Sequence, residues 1–546
     1  MLPNNRSSAT AAMIAVQSVM DRQANCGLEM MSSYLNTTNA AVAAVPLAIW
    51  AGLVAAGTVM PKSPVGILSL RSSLKELTIA RASRLNVLDV FRVIAILWVM
   101  MNHTGSEGRI DILERKPSAD AFKKAVHEHP VFGALLGNSA LGVEVFLVLS
   151  GLLAARSWLR QADMPFKDHY ASYVSRRVLR LFPSIGLFVY IAAGPLMRIA
   201  LPRFHNTMIS ACGASGVAAH LTFLSNWQET PTCLGYLWYI GLDMQLHLIA
   251  PFFLHALVKR GRFAVALIVL TVAISSVLRA GYCVFYNTCN KSDVDIPFIS
   301  YPDVDPETVK GVYLGLWEMY ARPYTKCGPF LIGMLFGWAS SGWEKQGIRF
   351  NKRVSFALIS FGLAVGIATI YAILPEYWWP DMTANVYNIT YTAIFRNVFA
   401  IALIAMVAGL TLQHNVITVC LGWSVLARLT FSAYLLHMPV VYIFNHLQYL
   451  QEADSAIALL VVLPLVALVS FGVALPFYLF VESPIGRIIT SWERAQKVDD
   501  AMPRKIPLLS ASSHTSSLEA PLVTPDCNQN VSLLDNIIKH HAETVR

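Results

Sequence analysis

The sequence predicts an all-α integral membrane protein, a polytopic helical bundle of about ten or eleven transmembrane helices, and three observations carry that prediction. Of 546 residues, 55% are apolar and only 14% charged, whereas soluble domains carry charge on about 25%. Apolar runs of membrane-spanning length, about 20 residues, recur along most of the chain. Lys and Arg gather in alternate connecting segments, the pattern of loops kept on the cytoplasmic side. Backbone N–H and C=O groups find no water partner in lipid, so only helices or closed barrels span it. Runs this long fit helices, at about 1.5 Å rise per residue.

Residues 1–40 are polar and lack the apolar core of a signal peptide, so they read as a lumenal or extracellular N-terminal segment followed by an uncleaved anchor helix at 41–60. Further runs at 86–103, 133–155, 179–200, 235–257, 263–280, 327–341, 354–373, 392–412, 429–445 and 456–481 complete the bundle, with 327–341 short for a span. Alternation from a cytosolic 61–85 loop places 156–178, 258–262, 342–353, 413–428 and the C-terminus on the same side. The first three of these are densely basic, whereas the acidic segment 281–326 falls opposite.

Sequons at Asn5, Asn36, Asn290 and Asn388 fall on the lumenal or outer side, where glycosylation occurs. Cys26, Cys212, Cys233, Cys283 and Cys289 lie there too. Cys212 with Cys233 and Cys283 with Cys289 are candidate disulfides, with free structural thiols as the alternative. The net charge of +9 follows from basic loops facing anionic lipid headgroups and calls for no nucleic-acid partner. The Ser-, Thr- and Pro-rich stretch 498–546 is expected to be a disordered cytosolic tail.

A charged side chain in lipid is costly, which makes each one a functional candidate. The run 86–103 carries Arg92 and His103 about three turns apart, so they share a face, separated by about 16 Å and near opposite membrane surfaces. Snorkelling accounts for Arg92, and an interfacial imidazole for His103, as readily as chemistry does. Glu144 lies in GVEVFLVLSGLL (142–153), where Gly142, Ser150 and Gly151 permit close helix contact. Asp243, Gln245 and His247 follow Trp238 and Tyr239 in one run, and Tyr434 and His437 interrupt another. Each is compatible with a buried structural hydrogen bond, but their number argues for a polar cavity. No metal site and no bound cofactor is expected.

The Arg followed eleven residues later by a His in LDVFRVIAILWVMMNHTGS (88–106) resembles the signature of the acyltransferase 3 family of membrane O-acyltransferases. The resemblance continues in order through GVEVFLVLSGLL (142–153), RRVLRLFP (176–183), WYIGLDMQ (238–245), YARPYTKCGPFLIGMLFG (320–337), LTFSAYLLH (429–437) and VESP (481–484), covering 85–490. The Asp-Met-Gln after Trp-Tyr and the Arg-Pro-Tyr-Thr-Lys stretch look most like the animal branch named after the nematode nose-resistant-to-fluoxetine proteins. That branch usually has a Cys-rich lumenal N-terminal domain, expected to be lacking here because only 1–40 precede the first run.

The resemblance implies transfer of an acyl group from cytosolic acyl-CoA, a co-substrate, to a hydroxyl acceptor. Arg92, with Arg176, Arg177 and Arg180 at the inner mouth of the fourth run, would hold the donor's phosphates and pantetheine, since guanidinium groups suit phosphate. His103 would be the general base, and Asp243 would orient its imidazole or position the acceptor. An ordinary positive-inside cluster is the alternative for the three arginines. Two other readings compete: a lipid or small-molecule transporter, and a non-catalytic regulatory membrane protein. The acceptor, whether lipid, metabolite, sugar or protein, is left open. Acyl-CoA chemistry and the sequons favour the endoplasmic reticulum over the plasma membrane.

Overall fold

The structure, a computed structural model, describes residues 34, 39–79, 83–105, 129, 131–161, 164–209, 212–228, 233–289, 314–315, 317–375, 385–415, 417–445, 447–451 and 457–501. Among the described residues the regular structure is helical and no strand forms. The helices that position the site are α1 (Ala40–Val59), α2 (Leu70–Thr78), α3 (Val87–Gly105), α4 (Leu141–Leu159), α5 (Phe166–Ala193), α6 (Gly213–Leu221), α7 (Trp238–Lys259) and α8 (Gly261–Phe285). They are followed by α9 (Pro323–Lys345), α10 (Lys352–Tyr371), α11 (Val386–Thr411), α12 (Leu421–Asn445), α13 (Ile457–Phe477) and α14 (Ser483–Ala501).

Among the described residues nine helices are long and apolar enough to cross a membrane. α5 and α9, of 28 and 23 residues, are more polar, α5 through its basic first half and α9 through its Gly, Ser and Pro, and complete the set expected from the apolar runs. Their bounds differ from the runs for that reason. α5 starts at Phe166 rather than at 179 because helical geometry does not stop at a basic stretch, and Arg176, Arg177 and Arg180 all lie within it. α9 reaches past 327–341 at both ends and opens on Pro323, whose missing N–H is no loss in a first turn.

α4 and α9 form the centre of the bundle, and both sit deep inside it. Glycines set their approach, as expected for Gly151: a Cβ there would lie 2.0 Å from the carbonyl oxygen of Phe330, and one on Gly333 would lie 2.0 Å from that of Val148. Two backbones this close leave no room for any larger residue. α3 packs against α4 on one side and α12 on the other. α10 pairs with α11 along the bundle's flank, where Phe356, Phe361 and Ile401 are exposed as lipid-facing positions should be.

Disulfides join Cys212 to Cys233 and Cys283 to Cys289. Asn388 corrects an expectation: it lies in the first turn of α11 with only 2% of its surface exposed, which leaves no space for a glycan. Asn5, Asn36, Asn290 and Cys26 lie outside the described residues. The expected tail begins later than 498, because α14 runs to Ala501; the rest of it also lies outside the described residues.

Candidate functional site

A histidine in a dry interior needs partners for its ring nitrogens, and His103 meets another histidine. Its Nδ1 lies 2.6 Å from Nε2 of His437, with the rings stacked at a centroid distance of 4.9 Å. The contact joins the last turn of α3 to the middle of α12. His437 is fully buried, and its Nδ1 lies 2.7 Å from the carbonyl oxygen of Tyr434, one turn earlier in the same helix. Tyr236 packs edge-on against both imidazoles, at 6.5 Å from His103 and 5.4 Å from His437.

The segment before α7 fixes Tyr236. Its hydroxyl donates to the carbonyl of Leu435 at 2.9 Å, and its own carbonyl accepts from the Tyr434 hydroxyl. Two residues earlier, Leu234 is fully buried in the left-handed region at φ 45°. A branched L-residue there is strained and persists only where its surroundings hold it. Those surroundings are the Cys212–Cys233 disulfide, the Leu234 N–H donated to Met208 at 2.9 Å, and the His220 ring bonded to the Cys233 carbonyl at 2.7 Å. Burial pushes His220, which lies outside the spans, down to about 4, so it is neutral and rigidly placed. Tyr236 was missed from sequence because a tyrosine beside Trp238 and Tyr239 reads as part of an aromatic cluster.

Two further groups of intramembrane charges are paired, around Asp243 and around Glu144. Asp243 does not serve the His103 imidazole, which corrects that expectation. Its Oδ1 accepts from Ser150 at 2.5 Å, its Oδ2 pairs with Arg177, and His247 lies 3.6 Å from that same oxygen. Arg177 thereby ties α5 to α7 instead of pointing solely at a donor phosphate. Glu144 pairs ionically with Lys326 at 2.6 Å and accepts from Arg396, and Glu144 and Lys326 are wholly inaccessible. Lys326 also lies over the Tyr320 ring at 4.1 Å and the Trp238 ring at 5.5 Å. Lys326 entered the sequence analysis only as the end of the Arg-Pro-Tyr-Thr-Lys stretch and Arg396 not at all, although the rule that flagged Glu144 applies equally to both.

Gln245 belongs to neither group. It donates to the Phe223 carbonyl at 2.7 Å and accepts from the Trp227 indole at 2.9 Å, holding the segment ahead of α7 rather than lining a cavity. Tyr239 fills the space between, with its ring 6.3 Å from Phe146 and 6.1 Å from Tyr434.

At the opposite end of α3 the chemistry is ionic. Arg92 pairs with Asp89 at 3.1 Å, and Asp89 accepts from Ser424 of α12 at 3.0 Å. Arg180 lies close enough to Arg92 for their charges to repel, with Glu482 near enough to attract it. Arg176 donates to Gln161 at 2.6 Å and to the Ser172 carbonyl at 2.9 Å.

A many-spanning helical bundle with an Arg and a His near opposite ends of one helix, the His meeting α12 directly and the Arg through Asp89, fits a membrane acyltransferase-like protein, the class that its domain supports. The chain belongs to the acyltransferase 3 family: the model of that Acyltransferase domain matches residues 85–479. Within the family it falls in the nose-resistant-to-fluoxetine-like branch. It is 57% identical over 451 residues to "Regulator of hypoxia-inducible factor 1" of Caenorhabditis elegans, spanning 83% of this chain and 89% of that protein. It is 25% identical over 404 residues to "Nose resistant to fluoxetine protein 6" of the same nematode, spanning 66% of this chain and 45% of that protein. No solved structure matches the chain.

Proposed function

We propose that the protein transfers an acyl group from acyl-CoA to a hydroxyl acceptor, with the basic end of α3 facing the cytosol and the disulfide end facing the lumen of the endoplasmic reticulum. The observation that carries this reading is the His103–His437 pair, set among tyrosines at one end of α3, with Arg92 at the other end. His103 takes the acceptor's proton as its oxygen bonds to the acyl carbon; the C–S bond breaks and the thiolate of CoA receives the proton. Arg92, Arg176 and Arg180 hold the donor's phosphates and pantetheine, with Arg177 shared between that task and Asp243. The family membership and the agreement of basic segments with one side support this arrangement.

The test is purified protein in native lipid extract with labelled acyl-CoA. The expected result is release of CoA and a labelled product, with turnover falling about 10²–10⁴-fold in His103→Ala. Unchanged turnover in that variant would remove His103 from the reaction. A transporter would move label across the vesicle membrane without releasing CoA.

We extend the proposal to the role in the relative's name, regulation of hypoxia-inducible factor. Supporting it are the 57% identity and near full-length coverage. Restoring the gene in animals that lack it should correct control of that factor's targets with the intact chain and fail with His103→Ala. Rescue by His103→Ala would favour the non-catalytic regulatory reading.

A further inference from the structure

We propose that the cavity where the ends of α4, α5 and α7 meet binds a membrane phospholipid with a polyol phosphate headgroup, of the kind an inositol phospholipid carries. The site is separate from the groups around α3, and it stands or falls independently of acyl transfer.

Its level in the membrane follows from the helix ends. α4 stops at Leu159 and α7 at Lys259, and α5 starts at Phe166, among Arg160, Lys167, Lys259, Arg260 and Arg262. Apolar span gives way there to basic connection, which is the depth of the lipid headgroups. The cavity has a volume of about 550 Å³, the size of a small-molecule site rather than of a single ion. Trp158, Pro165, Phe166, His169, His255 and Lys259 supply its walls. On its outer side Phe252, with its ring 5.5 Å from that of Phe166, and Val258 are 56% and 45% exposed. A headgroup in the cavity would leave its tails on that apolar surface.

His169 points most directly to a ligand. Only 1% of its surface is exposed, its ring lies flat on the Trp158 indole at a centroid distance of 3.6 Å, and its Nε2 has no hydrogen-bond partner. Buried polar side chains are otherwise nearly always bonded, because nothing else offsets their lost hydration. His255 meets Phe166 edge-on at 4.9 Å. An imidazole offers both donor and acceptor nitrogens, which suits hydroxyl groups, and the aromatic rings suit the C–H face of a polyol ring.

The phosphate has its own partners. Lys259 has no ion-pair partner among the described residues. The first turn of α5, a 28-residue helix, has Pro165 at its N-cap and no side-chain cap, so its leading N–H groups are left for an anion. Asp168, exposed in that same turn, is not among the residues lining the cavity. α7 ends at the same place, and its last carbonyls need donors, which hydroxyls are. A bare phosphate would satisfy the cation and the N–H groups but not the carbonyls; a polyol phosphate satisfies all three.

The test uses the full-length protein in nanodiscs of phosphatidylcholine with an equal addition of phosphatidylinositol or of phosphatidylserine, and native mass spectrometry counts the lipid each chain keeps on release. One phosphatidylinositol per chain is expected, in preference to phosphatidylserine, which has the same net charge and no polyol. Lys259→Ala should weaken that retention about fivefold, the effect of one basic residue at a membrane surface. His255→Leu keeps apolar bulk beside Phe166 and removes the hydrogen bonds, and should also weaken it about fivefold. Arg262→Ala, beyond the end of α7 and outside the cavity, should leave it unchanged.

Both charge variants change exposed side chains, so folding survives them. Equal losses in Lys259→Ala and Arg262→Ala would mean diffuse attraction to basic loops and would overturn the proposal, as would equal retention of the two lipids. Release of the lipid from the intact protein by saturating coenzyme A would overturn it too, by making the cavity a seat for a nucleotide phosphate; the expected result is that the lipid stays. Retention of phosphatidylinositol by a protein that shows no acyl transfer would leave this site standing and discard only the reaction.

Discussion

The two ends of α3 are built from different chemistry. Around Arg92 the contacts are ionic: Asp89 pairs with it, Arg180 stands near it, and Ser424 steadies the carboxylate. Around His103 the described contacts are an imidazole and a tyrosine ring, with backbone carbonyls holding both partners, and a disulfide holds the segment that supplies the tyrosine. A formally charged end is suited to holding a charged donor. An end built of imidazole and tyrosine rings is suited to moving a proton, because hydrogen bonds gain strength where water is excluded. Between the two, Glu144, Lys326 and Arg396 form a dry ionic knot that belongs to neither.

The knot gives the largest expected effect. Breaking a buried ion pair by removing one partner costs about 3–5 kcal/mol, since the remaining charge is stranded. Glu144→Gln strands both Lys326 and Arg396, so it should lower thermal stability by about that much and reduce folded yield, and adding Lys326→Met to it should recover part of the loss. If Glu144→Gln melts like the intact protein, the knot is not what joins α4, α9 and α11.

Next comes the disulfide at the His103 end. Closing a loop with a sequence separation of 21, Cys212–Cys233 is worth about 3 kcal/mol in chain entropy, and Cys283–Cys289, with a separation of 6, about 2 kcal/mol. Cys212→Ser should slow turnover as well as lower stability, because Leu234 and Tyr236 lose their anchor, whereas Cys283→Ser should lower stability alone. Equal turnover in the two variants would detach Tyr236 from the site.

The Arg92 end should answer in a different parameter. Arg92→Ala removes charge-assisted bonds worth about 1.5–3 kcal/mol, which corresponds to about a 10–150-fold rise in KM for acyl-CoA at unchanged kcat. A fall in kcat with KM held would place Arg92 at the reacting atoms and erase the division between the two ends.

This division was only half legible in the sequence. Arg92, His103, Glu144, Asp243 and His437 stand out because polar residues in apolar runs violate the local pattern, and helical spacing alone puts the first two on one face. Their partners do not stand out in the same way, because pairing is a long-range property: Arg396 meets Glu144 across 252 residues and Arg177 meets Asp243 across 66. Periodicity says which side of a helix is polar, not which helix faces it. The expectation that Asp243 orients His103 failed for that reason, and His437, which interrupts an apolar run of its own, fills the place. Asn388 failed for a related one, since a sequon reports residue types and not burial.

The smallest effect tests whether the two ends are separable at all. Asp89 takes Arg92 on one oxygen and the Ser424 hydroxyl on the other, so Ser424 links α12 to the basic end of α3 just as His437 links it to the far end. Ser424→Ala deletes one hydrogen bond to a carboxylate that keeps its arginine, a loss of about 1 kcal/mol. The expected outcome is a slightly lower melting temperature, a KM for acyl-CoA raised about two- to threefold, and a kcat within error of the intact protein's. If kcat instead falls as far as it does in His103→Ala, then α3 and α12 move as one rigid pair, and a disturbance at the ionic end is carried along both helices to His103.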